Sequence, residues 1–330
     1  MVSVKLAIII VSWNVKDLLA DCLRSVQADL SGGWLSADIW VVDNASGDGS
    51  VEMLRRDFPA VRLIASPTNL GFAGGNNAAL RAIGFGDAGK PAEELPDAVL
   101  LLNPDTVVHP GALISLAEFL AHTPQAGIAG ARLLFGDGSF QHSAFDFPGL
   151  WQLAFDLLPM PGRLVESGLN GRYFPSQYNG GKPFEIGHPL GAAMCVRREA
   201  ILQAGLLDER YHMYVEEVDW SKRITAAGWR AFCVPSAVIT HLGGQSTGQI
   251  KTESFINLWR SRARFYRKFY GPARLWAARN IVAIGMRRKA NADRQAAARG
   301  ELSAGALAER LEAYRRVTHI WQKDGQKEQP

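Results

Sequence analysis

The chain has 330 residues, 47% of them apolar and 21% charged, a balance ordinary for a globular protein with a sizeable core and foreign to disordered or fibrous chains. No stretch approaches the roughly 20 consecutive apolar residues that cross a bilayer. Cys22, Cys195 and Cys233 are odd in number and lack metal-type spacing, which argues against a disulfide framework and fits buried thiols in a reducing cytosol. The formal net charge of +4 hides an asymmetry: Lys251 to Pro330 carries 18 Lys/Arg against 7 Asp/Glu, and the residues before it 18 against 25. An acidic body and a basic tail imply two jobs.

In chain order, Leu6–Val11 is an apolar run that reads as a first strand. It is too short for a signal peptide, lacks a small-residue cleavage site, and runs into Asn14 and Lys16. A helix around Asp17–Ala28 follows, with Leu18, Leu19, Cys22, Leu23 and Val26 on one face. Ile39–Val42 is the second strand, with a helix near Ser50–Asp57; Val61–Ala65 is the third, with a helix near Asn76–Ile83. Ala98–Leu102 is the fourth, with Gly111–His122 behind it. Repeated β-α units predict an α/β fold whose mainly parallel sheet carries helices on both faces. From Phe135 to Pro189 the pattern loosens into mixed Gly, Pro and aromatic residues, as functional or mobile regions do. A helix Glu216–Ala227 and strands Ala231–Val234 and Val238–Gly244 close the acidic body; after Gln249 the chain turns helical and rich in Arg, Trp and Tyr.

Five segments carry candidate chemistry. The unbroken run Ala98–Leu102 stops at Asn103-Pro104-Asp105-Thr106, and ligands of open α/β sheets bind outside the carboxyl ends of strands. Asp105 therefore stands where a carboxylate meets a ligand or metal, although Asn, Pro and Asp are also ordinary turn formers. Asp43 ends strand two ahead of a Gly/Ser loop, placed to accept hydrogen bonds from a ribose or base, or to organise that loop. Asn69-Leu70-Gly71-Phe72-Ala73-Gly74-Gly75-Asn76-Asn77 is a glycine segment followed by a helix whose free N–H groups suit phosphate oxygens; it matches neither the P-loop nor the dinucleotide fingerprint. Glu216, Glu217 and Asp219 open a helix, where acids complement the dipole or where one serves as general base. His241 ends a strand beside glycines, and with Asp105 would present nitrogen and oxygen to an ion, a set Mn²⁺ tolerates better than Mg²⁺.

The order Val11-Ser12-Trp13-Asn14, Val42-Asp43-Asn44-Ala45-Ser46, Thr68-Asn69-Leu70-Gly71-Phe72, Asn103-Pro104-Asp105, Gly191-Ala192-Ala193-Met194, Tyr214-Val215-Glu216-Glu217-Val218-Asp219 and His241-Leu242-Gly243-Gly244 resembles the inverting family 2 glycosyltransferases, in their bacterial rhamnosyltransferase-like branch, over roughly residues 4–270. The resemblance implies a GT-A fold, a Rossmann-like nucleotide-binding sheet flanked by helices, with a C-terminal helical extension. The shift in charge and pattern after Gln249 divides the chain into a body over 1–249, which the resemblance makes the catalytic domain with 135–189 on the acceptor side, and an extension over 250–330. It implies donor-nucleotide contacts at Val11, Ser12, Asn14, Asp43, Asn69, Gly71, Phe72, Asn76 and Asn103, with the Val11–Asn14 turn closing over the base. Asp105 and His241 would hold a divalent cation, Mn²⁺ or Mg²⁺, on the donor diphosphate. Asn103 replaces the first acid of the family's Asp-x-Asp and becomes a hydrogen-bonding neighbour. Glu217 sits where the base is expected, with Glu in place of the family's Asp, which leaves the choice among Glu216, Glu217 and Asp219 open.

The implied reaction moves a sugar, with L-rhamnose the expected one, from a dTDP- or UDP-sugar to a hydroxyl of a glycan or lipid-linked acceptor in bacterial cell-surface polysaccharide synthesis. The alternatives are a sugar-nucleotide nucleotidyltransferase, whose Gly-rich loop with Arg/Lys is missing at Ser12-Trp13-Asn14, and a non-catalytic glycan-binding or scaffold protein with a decayed site. Between Phe255 and Lys289, Trp259, Phe265, Tyr266, Phe269, Tyr270 and Trp276 interleave with Arg and Lys. Such a mix suits an anionic membrane surface or a docked helix with a solvated basic face; nucleic acid is not expected, because no recognised module accompanies the charge. The expected location is cytoplasmic, with peripheral attachment to the inner face of the plasma membrane.

Overall fold

The computed structural model describes residues 4–33, 35–86, 89–243 and 251–323. Its first strand, β1 (Lys5–Ser12), turns Leu6, Ile8 and Ile10 to one side and Ala7 and Ile9 to the other, all buried. A strand buried on both faces needs cover on both, which is the α/β arrangement. There follow α1 (Lys16–Leu30), β2 (Ser36–Asn44), α2 (Ser50–Asp57), β3 (Arg62–Ser66), α3 (Gly71–Ile83), β4 (Ala98–Leu102), β5 (Thr106–Val108), α4 (Ala112–His122) and β6 (Ala126–Leu134). The loosely patterned stretch resolves into short pieces: β7 (Phe140–Gln141), β8 (Ala144–Phe145), α5 (Leu150–Leu157), α6 (Gly162–Val165), α7 (Pro175–Asn179), β9 (Phe184–Ile186) and β10 (His188–Pro189). Then come β11 (Ala193–Arg197), α8 (Arg198–Ala204), α9 (Glu216–Ala226), β12 (Arg230–His241), α10 (Lys251–Phe269), α11 (Pro272–Ala298) and α12 (Ala304–Gln322).

The main sheet runs β3-β2-β1-β4-β11-β6-β12-β5, with β7 added to β6 and β9 to β12. β1 pairs in parallel with β2 and β4, β2 with β3, and β6 with β12, while β11 lies antiparallel between β4 and β6. Leu19, Leu23, Leu54 and Leu116 from α1, α2 and α4 fill one face; Leu80, Ile201, Trp220 and Ile224 from α3, α8 and α9 fill the other. Each such side chain contributes about 1.5–3 kcal/mol by leaving water.

Two element boundaries differ from expectation for identifiable reasons. The glycine segment is not a loop ahead of a helix but the first turn of α3, which begins at Gly71 and not Asn76. A Cβ on Gly75 would lie 2.7 Å from Val11 Cγ1, so the glycines let α3 press against β1. The two strands expected over 231–234 and 238–244 are one strand, β12, whose register shifts between Val234 and Val238, around Pro235. Gly244 and the expected domain boundary at Gln249 lie outside the described residues.

The described chain falls into two compact units. The first gathers residues 4–147, 173–212 and 216–243, and the second 148–172, 213–215 and 251–323. Residues 148–172 thus group with the C-terminal helices. In the second unit Trp259, Phe265, Tyr266 and Trp321 are buried, and Trp321 Nε1 donates to Trp259 O at 3.0 Å. These aromatics are the core of a helical unit and leave only the exposed members of the set, Trp276 among them, for a surface role. Gly285 admits Leu157, whose Cβ would lie 2.6 Å from a Cβ at 285, so α5 packs tightly on α11.

Candidate active site

Register brings Asp105 and His241 together. β4 ends at Leu102, opposite Ala193 of β11, and Asn103 N–H donates to Ala192 O at 2.9 Å. On the far side of the turn, Thr106 pairs with His241, and Leu242 N–H donates to Asp105 O at 3.0 Å. Beneath the turn, Thr106 Oγ1 donates to Asn103 O at 2.8 Å, and the Cys22 thiol lies 3.6 Å from the same carbonyl. Burial pushes that thiol up to about 12, so it stays protonated and braces the turn. His241 Nε2 then stands 3.5 Å from Asp105 Oδ1 and 3.4 Å from Asn103 Nδ2, with Asp105 and His241 both less than a tenth exposed. His241 Nδ1 lies 3.3 Å from Gln141 Oε1 on β7, a partner that orients the ring.

This donor set fits a divalent cation. A carboxylate oxygen and an imidazole nitrogen face each other at the end of the sheet, a mixed pair suited to Mn²⁺. Among the described residues no group of three or more His, Cys, Asp or Glu is arranged so as to hold a metal ion. A cation held by Asp105 and His241 therefore needs further oxygens from a ligand or water.

Asp43 sits beside Ser12 in the β1–β2 register, and both are buried. Asp43 Oδ2 accepts Ser46 N–H at 2.9 Å, whereas Asp43 Oδ1 and Ser12 Oγ are buried with no hydrogen-bond partner among the described residues. Buried polar atoms without partners are costly, so the pair is ready for donors and acceptors from a ligand. Asn14 takes another role: its N–H donates to Ser46 Oγ at 2.9 Å and its Oδ1 accepts Gly47 N–H at 2.8 Å, lacing the loops after β1 and β2.

The glycine segment also departs from expectation. Asn69 Oδ1 accepts Gly71 N–H at 2.9 Å, and Phe72 N–H donates to His212 O at 3.1 Å. The helix-terminal N–H groups of Gly71 and Phe72, expected to face phosphate, are thus occupied by protein. Asn76 lies inside α3, 1% exposed, with Nδ2 donating to Phe72 O at 2.9 Å. Two asparagines that stand in the sequence motifs but carry no assigned role there hold this region: Asn44 bridges Leu70 N–H and Gly71 O, and Asn77 exchanges hydrogen bonds with Leu207 N–H and O. Gly71 has φ +71°, and a Cβ there would lie 2.2 Å from His212 O. Gly71→Ala is expected to lower unfolding free energy by about 2 kcal/mol or more; urea denaturation checks this, and an unchanged midpoint would contradict the packing.

The three acids of α9 separate clearly. Asp219 is fully buried and pairs with Arg223 Nε at 2.8 Å, while Arg223 also donates to Ala204 O and Leu206 O. These bonds tie the helix to the end of α8 and the loop after it. Glu216 is 4% exposed and Glu217 half-buried. Glu217 lies over Gly191, where a Cβ would stand 3.4 Å from its Cγ. Gly191 precedes Ala192, the residue that anchors Asn103, so Glu217 is next to the segment that holds the Asp105 turn. The non-glycine residues with positive φ among the described ones, Asn14, Ala45, Tyr214 and Val215, all lie in segments flanking these residues. Positive φ at a β-branched Val is strained, and such strain clusters at working sites.

A profile of the family described as Glycosyl transferase family 2 matches residues 7–201. The chain is 33% identical over 217 residues, 64% of this chain and 68% of the relative, to the N-acetylglucosaminyl-diphospho-decaprenol L-rhamnosyltransferase of Mycobacterium tuberculosis (strain CDC 1551 / Oshkosh). It is 27% identical over 220 residues, 66% of this chain and 61% of the relative, to the low-salt glycan biosynthesis hexosyltransferase Agl10 of Haloferax volcanii. In fold it is similar to the mannosyltransferase PcManGT of Pyrobaculum calidifontis solved with GDP-Man and Mn²⁺, with TM-score 0.54, 17% identity, and 97% of this chain and 84% of that one covered. It is likewise similar to GalNAc-T7 solved with UDP, GalNAc and Mn²⁺, with TM-score 0.56, 15% identity, and 81% of this chain and 48% of that one covered.

Proposed function

The chain belongs to glycosyltransferase family 2, in its rhamnosyltransferase-like branch with a GT-A fold, and from that premise we propose that it is a metal-dependent inverting enzyme. It moves a sugar, L-rhamnose in the first instance, from a dTDP- or UDP-sugar to a hydroxyl of a glycan or lipid-linked acceptor in cell-surface polysaccharide synthesis. The observation that carries this reading is Asp105 facing His241 at 3.5 Å beside the partnerless Asp43 Oδ1 and Ser12 Oγ. The sugar-nucleotide nucleotidyltransferase and non-catalytic readings have no comparable support.

In this reading Asp43 and Ser12 accept and donate hydrogen bonds to the nucleoside, and Asn103 steadies the donor beside the turn. Asp105 and His241 would hold a divalent cation, which when bound would supply positive charge toward the donor diphosphate. Glu217 takes the proton of the acceptor hydroxyl as that oxygen attacks the anomeric carbon, because a neutral hydroxyl is a weak nucleophile. A single displacement inverts the anomeric configuration. The first unit is the catalytic domain and the second its basic helical extension, at work on the cytoplasmic side of the plasma membrane.

A thermal-shift panel tests the donor reading. At ligand concentrations about 100-fold above Kd, binding stabilises by about 2.7 kcal/mol, so one nucleotide sugar is expected to raise Tm by several degrees with Mn²⁺ and far less with EDTA. A flat response across dTDP-, UDP- and GDP-sugars with Mn²⁺ would remove the donor assignment.

A further inference from the structure

We propose that the second unit docks on an anionic bilayer through a face built from α11 and the start of α5, with Trp151, Trp276 and Ile284 at the acyl boundary and Arg287 and Arg288 among lipid phosphates. The proposal rests on the reading of a lipid-linked acceptor for its purpose, but its observations are separate. Trp276 is 69% exposed, Trp151 61% and Ile284 51%, although burial is the usual fate of such side chains. At about 100° per residue, Trp276, Ile284, Arg287 and Arg288 fall within one third of the α11 circumference. Tyr266 and Tyr270, at the end of α10, donate to Gly149 O and Pro148 O, and Leu157 sits in the notch at Gly285. α5 therefore runs alongside α11 in the same direction, and the two exposed tryptophans come at neighbouring helix starts.

The charge identifies the occupant. From Phe255 to Lys289 there are ten Lys/Arg and no Asp or Glu. Arg287 and Arg288 are exposed and have no carboxylate partner among the described residues. An acidic protein surface would meet the arginines but leave two indoles and an isoleucine without an apolar layer. A bilayer interface supplies phosphate and acyl chain at adjacent depths, the setting in which Trp and Arg lie on one helix face. No helix of the described residues is long and apolar enough to cross a membrane, so the contact is interfacial.

Co-sedimentation of the full chain with vesicles tests the proposal without donor or acceptor. Binding is expected to phosphatidylcholine vesicles carrying 30% phosphatidylglycerol, to be much weaker on phosphatidylcholine alone, and to fall with salt. Each surface cation contributes roughly fivefold in partitioning, so R287E/R288E should lower binding by about 25-fold or more. W151A/W276A should lower it by about tenfold, with the circular dichroism and the donor-induced thermal shift of the wild type retained. Failure of the wild type to bind anionic vesicles, or wild-type binding by both variants, overturns the proposal. So does loss of self-association in W151A/W276A with vesicle binding unchanged, which makes the face a protein interface. A lost donor shift with vesicle binding intact counts instead against the proposed reaction.

Discussion

Asp105→Ala is expected to lower the rate of sugar transfer by about a thousandfold or more, because the turn holds its only carboxylate facing His241 at the sheet end. The fold should survive. The turn is held by backbone bonds from Asn103 N–H to Ala192 O and from Leu242 N–H to Asp105 O, which alanine keeps. His241→Ala removes the nitrogen of the pair and should be severe but less complete, since oxygens of the donor and water remain. Gln141→Ala removes the partner of His241 Nδ1 and should weaken Mn²⁺ affinity by about 10–100-fold while sparing the rate at saturating Mn²⁺. Transfer rates across a Mn²⁺ titration, with Mn²⁺ binding followed by electron paramagnetic resonance, separate the three. Wild-type turnover in Asp105→Ala would sink the metal assignment.

Why Asp105 is legible in sequence and Gln141 is not follows from what each depends on. The run Ala98–Leu102 is unbroken and bounded by turn formers, so local pattern alone identifies a buried strand with an aspartate at its carboxyl end. Gln141 is placed by the short β6–β7 hairpin through its pairing with Leu133, but its approach to His241, 100 residues away in the chain, is a matter of long-range strand register, as is the pairing of Thr106 with His241. Nothing local encodes it. The roles of Asn44 and Asn77 stay hidden for the same reason, since their partners at Gly71 and Leu207 are set by tertiary packing. The glycine segment misleads in an instructive way: glycines that permit a ligand's approach equally permit a helix to press on a strand, and here Val11 and His212 occupy that space. In the C-terminal helices, composition cannot tell a buried Trp321 from an exposed Trp276. Only packing separates a core aromatic from a surface one.

The remaining large effect divides the acids of α9 by role. Glu217→Gln should lower kcat by about 10²–10⁴, the worth of a positioned base, with little change in donor-induced thermal shift or in stability. Glutamine keeps the volume that covers Gly191 and removes only the capacity to take a proton. Asp219→Asn should do the reverse. It breaks a pair with Arg223 whose carboxylate is fully buried, at a cost of about 3 kcal/mol, the lower end for such pairs because Arg223 keeps its bonds to Ala204 O and Leu206 O. Its kcat per folded molecule should stay near that of the wild type. Glu216, buried where Glu217 is half-exposed, is expected to affect stability more than rate. Chemical denaturation alongside single-turnover transfer measures both axes for each variant. An active Glu217→Gln beside a folded but inactive Asp219→Asn would move the base one helical step inward, and would require the Arg223 pair to open during the reaction.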